Sequence, residues 1–211
     1  MAQPCAMTPT LVIGTGNKKK GGELATLVAP LGLAVRTLAD FPPQPPVEET
    51  GRTFADNAEL KAVGYARLLN QWVLADDSGL CVDALGGLPG VDSALYAGRH
   101  GDDEANNDKL LTELGARPPD ERWGHYVCHV VLADPRGTVR FRTEDYCRGR
   151  ILAARAGVGG FGYDPLFEVV EYHRTFGTLS PAVKACISHR ARAMRKLLPE
   201  LRRLLAAGEW K

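Results

Sequence analysis

The chain has 211 residues, with 26 lysines and arginines against 25 aspartates and glutamates, for a formal net charge of +1. That near-balance excludes a general nucleic-acid binder, whose affinity rests on a large basic surplus, and no apolar run is long enough to span a bilayer. Hydrophobic residues make up 45% of the chain, which suits one globular α/β domain over residues 10–206 or two closely joined lobes. The five cysteines (Cys5, Cys81, Cys128, Cys147 and Cys186) contain no C-x-x-C pair, which predicts free thiols in a reducing cytoplasm. Residues 1–9 lack the charged and apolar regions of a signal peptide and read as a flexible N-terminus.

In chain order, the apolar run over 10–14 predicts a strand that passes through Thr15, Gly16 and Asn17 into Lys18, Lys19 and Lys20. A helix over about 20–29 and a strand over about 33–38 follow. Three positive charges at a helix start oppose the helix dipole, and an anion among the backbone N–H groups reverses that sign. The turn reads either as a phosphate site or as a solvated basic surface. Residues 41–51 are Pro-rich and predict an extended connector. Thr53 then caps a helix through Leu69, on which Asn57 and Lys61 are four residues apart and share a face.

A short buried strand over 72–75 places Asp76, Asp77, Ser78 and Gly79 at its carboxyl end, where ligands bind in open α/β sheets. Paired carboxylates there suit magnesium, while the same four residues also suit a plain turn. A helix over 102–114 comes next, then a hairpin of strands over 124–133 and 138–151. Residues 157–165 read as a flexible loop. Within it Phe161, Gly162, Tyr163 and Asp164 offer a ring for base stacking, a close-approaching backbone and a carboxylate, or serve structure alone. The remainder to 206 is helical. In one continuous helix Lys184, His189 and Arg190 would point in different directions. A break is therefore predicted at Ser188, which caps the final helix, with Ser180-Pro181 starting a shorter one. Crossover units combined with a hairpin predict an α/β fold with an elongated mixed central sheet and helices on both sides.

Two familiar nucleotide signatures are absent: Lys19 breaks the G-x-G-x-x-G pattern begun at Gly14, and no Gly-Lys-Ser/Thr occurs. His125, Cys128 and His129 do not share a strand face and are not read as metal ligands.

Seven segments together resemble the inosine/xanthosine triphosphate pyrophosphatase family. They are Thr15 to Lys20, Glu48-Glu49-Thr50-Gly51, Asn57 to Lys61, Asp76 to Gly79, Gly86-Gly87-Leu88-Pro89-Gly90, Gly159 to Pro165 and Ser188-His189-Arg190, in the family's order over about residues 10–205. The resemblance implies two lobes flanking a nucleotide-binding cleft, usually in a homodimer. It further implies magnesium-dependent hydrolysis of ITP, dITP and XTP to the monophosphate and pyrophosphate, with no stable nucleic-acid or membrane partner. Asp77 would hold the metal and activate water, with Glu49 as the second acidic ligand. Asn17, Lys20, Lys61 and Lys184 would hold the triphosphate, with Ser78 nearby. Thr15, Gly16, Lys18, Lys19 and Asn57 complete the implied substrate contacts. Phe161, Gly162, Tyr163, Asp164, His189 and Arg190 would form the base pocket.

Elementary chemistry agrees with these roles. Fixed lysines and a metal stabilise the charge that builds on a leaving pyrophosphate. Arg190 as a donor suits the 6-oxo group of hypoxanthine and xanthine, whereas adenine's 6-amino group would leave two donors facing each other. Three departures from the family's pattern stand out: Leu95 in place of an arginine, Ala182-Val183 in place of an acidic pair, and a short segment around 172–178. Two other readings compete, a septum-inhibition-type nucleotide pyrophosphatase and a non-hydrolytic nucleotide binder. Ser188-His189-Arg190 argues against the first, and Asp77 with Glu49 against the second.

Overall fold

The computed structural model describes residues 9–210, so Cys5 and nearly all of the flexible N-terminus expected over 1–9 lie outside the described residues. The first strand, β1 (Thr10–Ile13), is apolar because the layers on both sides of it are filled. Leu11 and Ile13 pack with Leu24 and Val28 of α1 (Lys18–Val28) and with Met194, Leu197 and Leu201 of α5 (His189–Ala206). Val12 turns the other way, toward Ala58, Ala62 and Tyr65 of α2 (Phe54–Leu69). At β1, two helices thus cover one face of the sheet and one covers the other, which is the mixed layered fold that the element pattern predicts.

Outside β1 lies the parallel strand β2 (Ala34–Thr37), and on its inner side lies β3 (Trp72–Val82), also parallel. The strands β4 (Trp123–Ala133), β5 (Val139–Ile151), β6 (Phe167–Val169) and β7 (Arg174–Thr175) continue the sheet antiparallel, giving the seven-stranded order β2-β1-β3-β4-β5-β6-β7. A second apolar cluster fills the far end. There Leu80, Tyr126, Phe167 and Phe176 meet Leu110 and Leu114 of α3 (Asp103–Leu114).

One difference from the sequence reading matters for function. The strand expected to stop at Ala75 continues to Val82, so Asp76, Asp77, Ser78 and Gly79 lie inside it. These turn-forming residues stay extended because β4 pairs with β3 without interruption, from Val73 opposite Ala133 to Val82 opposite Gly124. On the other edge, β1 accompanies β3 only from Trp72 to Leu74. The Gly14 N–H closes that pairing on the Leu74 carbonyl at 2.8 Å, and the chain then turns into α1. Beyond that point the β3 edge has no strand beside it among the described residues. Gly79 is required here, because a Cβ would meet Ser93 Oγ at 2.3 Å and the Gly90 carbonyl at 2.6 Å.

Strand alternation also separates the two adjacent aspartates. Asp76 and Ser78 lie on the α1/α5 face with Leu74, and Asp77 lies on the α2 face with Ala75. The reading of Asp76 and Asp77 as one paired carboxylate site is therefore corrected.

The break at Ser188 is present. The helix α4 (Pro181–Ile187) ends there, and Ser188 Oγ accepts from the Ala191 N–H at 3.2 Å to cap α5. Helix α1 starts at Lys18, earlier than its spacing predicts, because Asn17 Oδ1 accepts from the N–H groups of Lys19 (3.0 Å) and Lys20 (3.1 Å). The loop expected to be flexible over 157–165 is hydrogen-bonded into place. Its Phe161 N–H meets Asp164 Oδ2 at 2.8 Å, and the Tyr163 hydroxyl donates to the Ser93 carbonyl at 2.8 Å.

Candidate functional site

The site begins where β1 leaves the edge of β3. On the α2 face, Lys61 Nζ lies 2.9 Å from Asp77 Oδ1 and 2.8 Å from Glu49 Oε2. Lys61 and Asp77 are each 7% exposed. Burial alone would lower the Lys61 pKa, but Asp77, Asp76 and Glu49 outweigh it and hold the ammonium charged above its ordinary value. Burial raises the Asp77 carboxyl against the opposing pull of Lys61 and Lys20. Asn57 lies beside Lys61 on the buried face of α2, with its Oδ1 accepting from the Gly51 N–H at 2.8 Å. Asn57 thus fastens the connector that carries Glu49.

Around the start of α1, Lys20 is half-buried and reaches the Ser78 carbonyl at 3.3 Å, while Lys18 and Lys19 are exposed. Thr15 Oγ1 accepts from the Asn17 N–H at 3.2 Å, and a Cβ on Gly16 would meet nothing within 4 Å. The open space at Gly16 and the ammonium of Lys20 suit an anion. The N–H groups of Lys19 and Lys20 are already taken by Asn17.

On the opposite face a denser network forms. Arg190, 1% exposed, donates from Nε to Asp76 Oδ2 at 3.1 Å, from one terminal nitrogen to Ser78 Oγ at 2.8 Å, and from the other to Glu23. Burial favours the neutral form of Asp76, yet Arg190, Lys20 and Lys61 hold its carboxyl well below the usual carboxylate range. Lys184 bridges Asp164 and Glu23, the latter at 2.9 Å, so distant acids replace the local acidic pair that Ala182-Val183 lacks. His189 stacks on Tyr126 at 4.7 Å between ring centroids, and its Nδ1 is buried with no protein partner. Burial, then the charges of Arg190 and Lys184, keep His189 neutral, with a pKa well below its ordinary 6.5.

Two cavities adjoin this network. One of about 400 Å³ lies between α1, α4 and the 159–161 segment, lined by Glu23, Leu27, Phe161, Leu179 and Lys184. The other, about 90 Å³, is lined by Asn17, Lys20, Ser78, Gly162, Tyr163, Asp164, His189 and Arg190. Phe161 and Lys184 border both, and Lys184 Nζ sits 4.4 Å from the Phe161 ring centre. Only the larger cavity falls within the roughly 300–1,000 Å³ typical of small-molecule sites.

Glu23, Asp103 and Asn107 escaped the sequence reading, although each left a signal. Glu23 is three residues from Lys20 on the same helix face. Asn106-Asn107 sits inside a helix, where asparagine is unfavourable unless its side chain is used. Asp103 is the second acid of an Asp102-Asp103 pair, and only the first of these serves as the cap.

Comparison with known proteins agrees with the geometry. Residues 11–200 match the Ham1 family. A Rhodopirellula baltica protein named dITP/XTP pyrophosphatase is 52% identical over 198 residues, covering 94% of this chain and 95% of that protein. A Desulforamulus reducens protein of the same name is 48% identical over 194 residues, or 92% and 96% of the two chains. The solved structure of the Staphylococcus aureus Ham1 protein superposes with a TM-score of 0.81 at 38% identity, covering 92% of this chain and 98% of that one. Sequence and fold agree over most of the molecule's length, and the chain belongs to the Ham1 family.

Proposed function

We propose that this protein hydrolyses deaminated purine nucleoside triphosphates, namely ITP, dITP and XTP, to the monophosphate and pyrophosphate, removing them from the nucleotide pool. The carrying observation is the Glu49–Lys61–Asp77 cluster at the unpaired edge of β3, beside Lys20. The names of the relatives support the substrate class.

Asp77 and Glu49 offer only oxygen donors, and among the described residues no group of three or more His, Cys, Asp or Glu is placed to hold a metal. That set fits magnesium, which is commonly held by one or two carboxylates with substrate phosphates and water completing its shell. When bound there, magnesium supplies Lewis-acid polarisation of the phosphate and lowers the pKa of water. Asp77 accepts the proton of the attacking water, a role suited to a carboxylate whose basicity burial has raised. Lys61 orients Asp77, and Lys20 with Asn17 faces the phosphates, so positive charge is in place before the pyrophosphate leaves.

The base stacks on Phe161, the ring that borders both cavities. His189, whose Nδ1 has no protein partner, and the Arg190 guanidinium, which line the smaller cavity beside that ring, meet its polar edge. A 6-oxo group satisfies a guanidinium donor and the 6-amino group of adenine does not, while guanine, which keeps the 6-oxo group, is set apart by its 2-amino group.

Incubation with magnesium and ITP, XTP, dTTP, GTP or ATP tests this reading. Pyrophosphate from ITP and XTP, with little from the others, is the expected result; release of single phosphates, or no release, overturns it. The same reading extends to a homodimer in the cytoplasm, supported by the exposed apolar side chains of Leu88, Val91 and Leu95 and by the free thiols of Cys81, Cys128, Cys147 and Cys186. Light scattering at two protein concentrations checks the dimer.

A further inference from the structure

The ring that borders both cavities sits on a glycine-rich segment, and such a segment does not hold a ring still unaided. Gly162, next to Phe161, adopts φ +62° and has no side chain to pack. Its backbone N–H and carbonyl are nevertheless both held by one helix. The Gly162 N–H donates to Asp103 Oδ2 at 2.9 Å, and the Gly162 carbonyl accepts from Asn107 Nδ2 at 2.9 Å. Asn107 is 1% exposed and is itself fixed by a 2.7 Å bond to the Asp103 carbonyl. Asp103 also takes the ammonium of Lys19 at 3.3 Å, and that ammonium lies 5.7 Å from the centre of the Phe161 ring.

Building on the proposed function, we infer that Asp103 and Asn107 are positioning residues for the nucleotide base, acting through the Gly162 backbone on the Phe161 ring. Asp103 links this control to the phosphate side. One carboxylate oxygen touches a residue of the lysine turn and a residue of the base loop. Helix α3 contributes no group to the reaction itself. It sets where the ring stands, and so what fits against it.

Three variants of the full chain test this: Asp103→Ala, Asp103→Asn and Asn107→Ala. Asp103→Ala should speed amide exchange at Gly162 about tenfold, the effect of losing one charge-assisted hydrogen bond. It should raise KM for ITP by about the same factor with kcat within about twofold. Inhibition by tripolyphosphate, which carries no base, should not weaken. Asp103→Asn keeps an acceptor for the Gly162 N–H and should restore most of both effects. Asn107→Ala should behave like Asp103→Ala. Unchanged Gly162 exchange in Asp103→Ala overturns the inference, as does parallel weakening of ITP and tripolyphosphate. If the unaltered protein releases no pyrophosphate from ITP, the functional reading fails, and the exchange measurement still decides whether α3 fixes the loop.

Discussion

The two faces of β3 both carry buried charge, but they treat it differently. On the α2 face, Lys61 is shared between Asp77 and a Glu49 whose side chain is 46% exposed, so one end of the cluster is already wet. On the α5 face, Arg190 and Asp76 have side chains 1% and 0% exposed, and Glu23 joins them to Lys184. A half-wet cluster can exchange partners when a triphosphate arrives. A sealed network cannot lose a member without leaving a charge buried and unpaired. The first arrangement suits chemistry, where protons and partners change; the second suits recognition, where donors must stay aimed.

The comparison breaks most sharply at Asp77. Asp77→Asn should lower kcat about 10³-fold while ITP still binds, measured by pyrophosphate release and by calorimetric titration. Near-normal turnover would remove the α2 face from the reaction. On the other face, Arg190→Met strands the Asp76 carboxylate and should cost about 3–5 kcal/mol of stability in urea unfolding. Adding Asp76→Asn should recover part of that loss, because the stranded charge goes with it.

A pH series sharpens the same contrast. Burial, reinforced by Arg190 and Lys184, holds the folded-state pKa of His189 well below 6.5. The unfolded chain therefore binds the proton that the folded one refuses, so this stability is present above pH 6.5 and is lost as pH falls below it. The slope reaches at most about 1.4 kcal/mol per pH unit. Urea unfolding at pH 7 and pH 5.5 should show the loss, and His189→Gln should reduce it.

The smallest effect lies outside both faces. Trp210 stacks on Trp72 at 4.3 Å between ring centres, and its Nε1 donates to the Thr10 carbonyl at 3.2 Å, clamping the chain's end against β1. Trp210→Ala should cost about 1–2 kcal/mol in thermal unfolding with kcat unchanged. A fall in kcat would show that the clamp reaches the site.

Features with a local cause were legible in the residues themselves. Asn17, Thr53 and Ser188 cap helices through atoms two or three positions away, and the conflicting directions of Lys184, His189 and Arg190 on one helix demanded the break at Ser188. The course of β3 was hidden. Asp76, Asp77, Ser78 and Gly79 form a turn on local preference, and only the hydrogen bonds of β4, some fifty residues onward, keep them extended. Glu23, Asp103 and Asn107 were hidden for a similar reason, since their partners are 167, 59 and 55 residues away.

By itself, then, the sequence determined the helix caps, the hairpin, the mixed α/β class and the ordered motifs that mark the family. Tertiary structure alone decided that Asp76 and Asp77 serve opposite faces, that Lys61 belongs to Asp77 and Glu49, and that α3 holds the ring-bearing loop. A cap is closed by its immediate neighbours along the chain. An ion pair forms between whichever side chains the packed sheet brings within about 4 Å, and sequence distance carries no record of that.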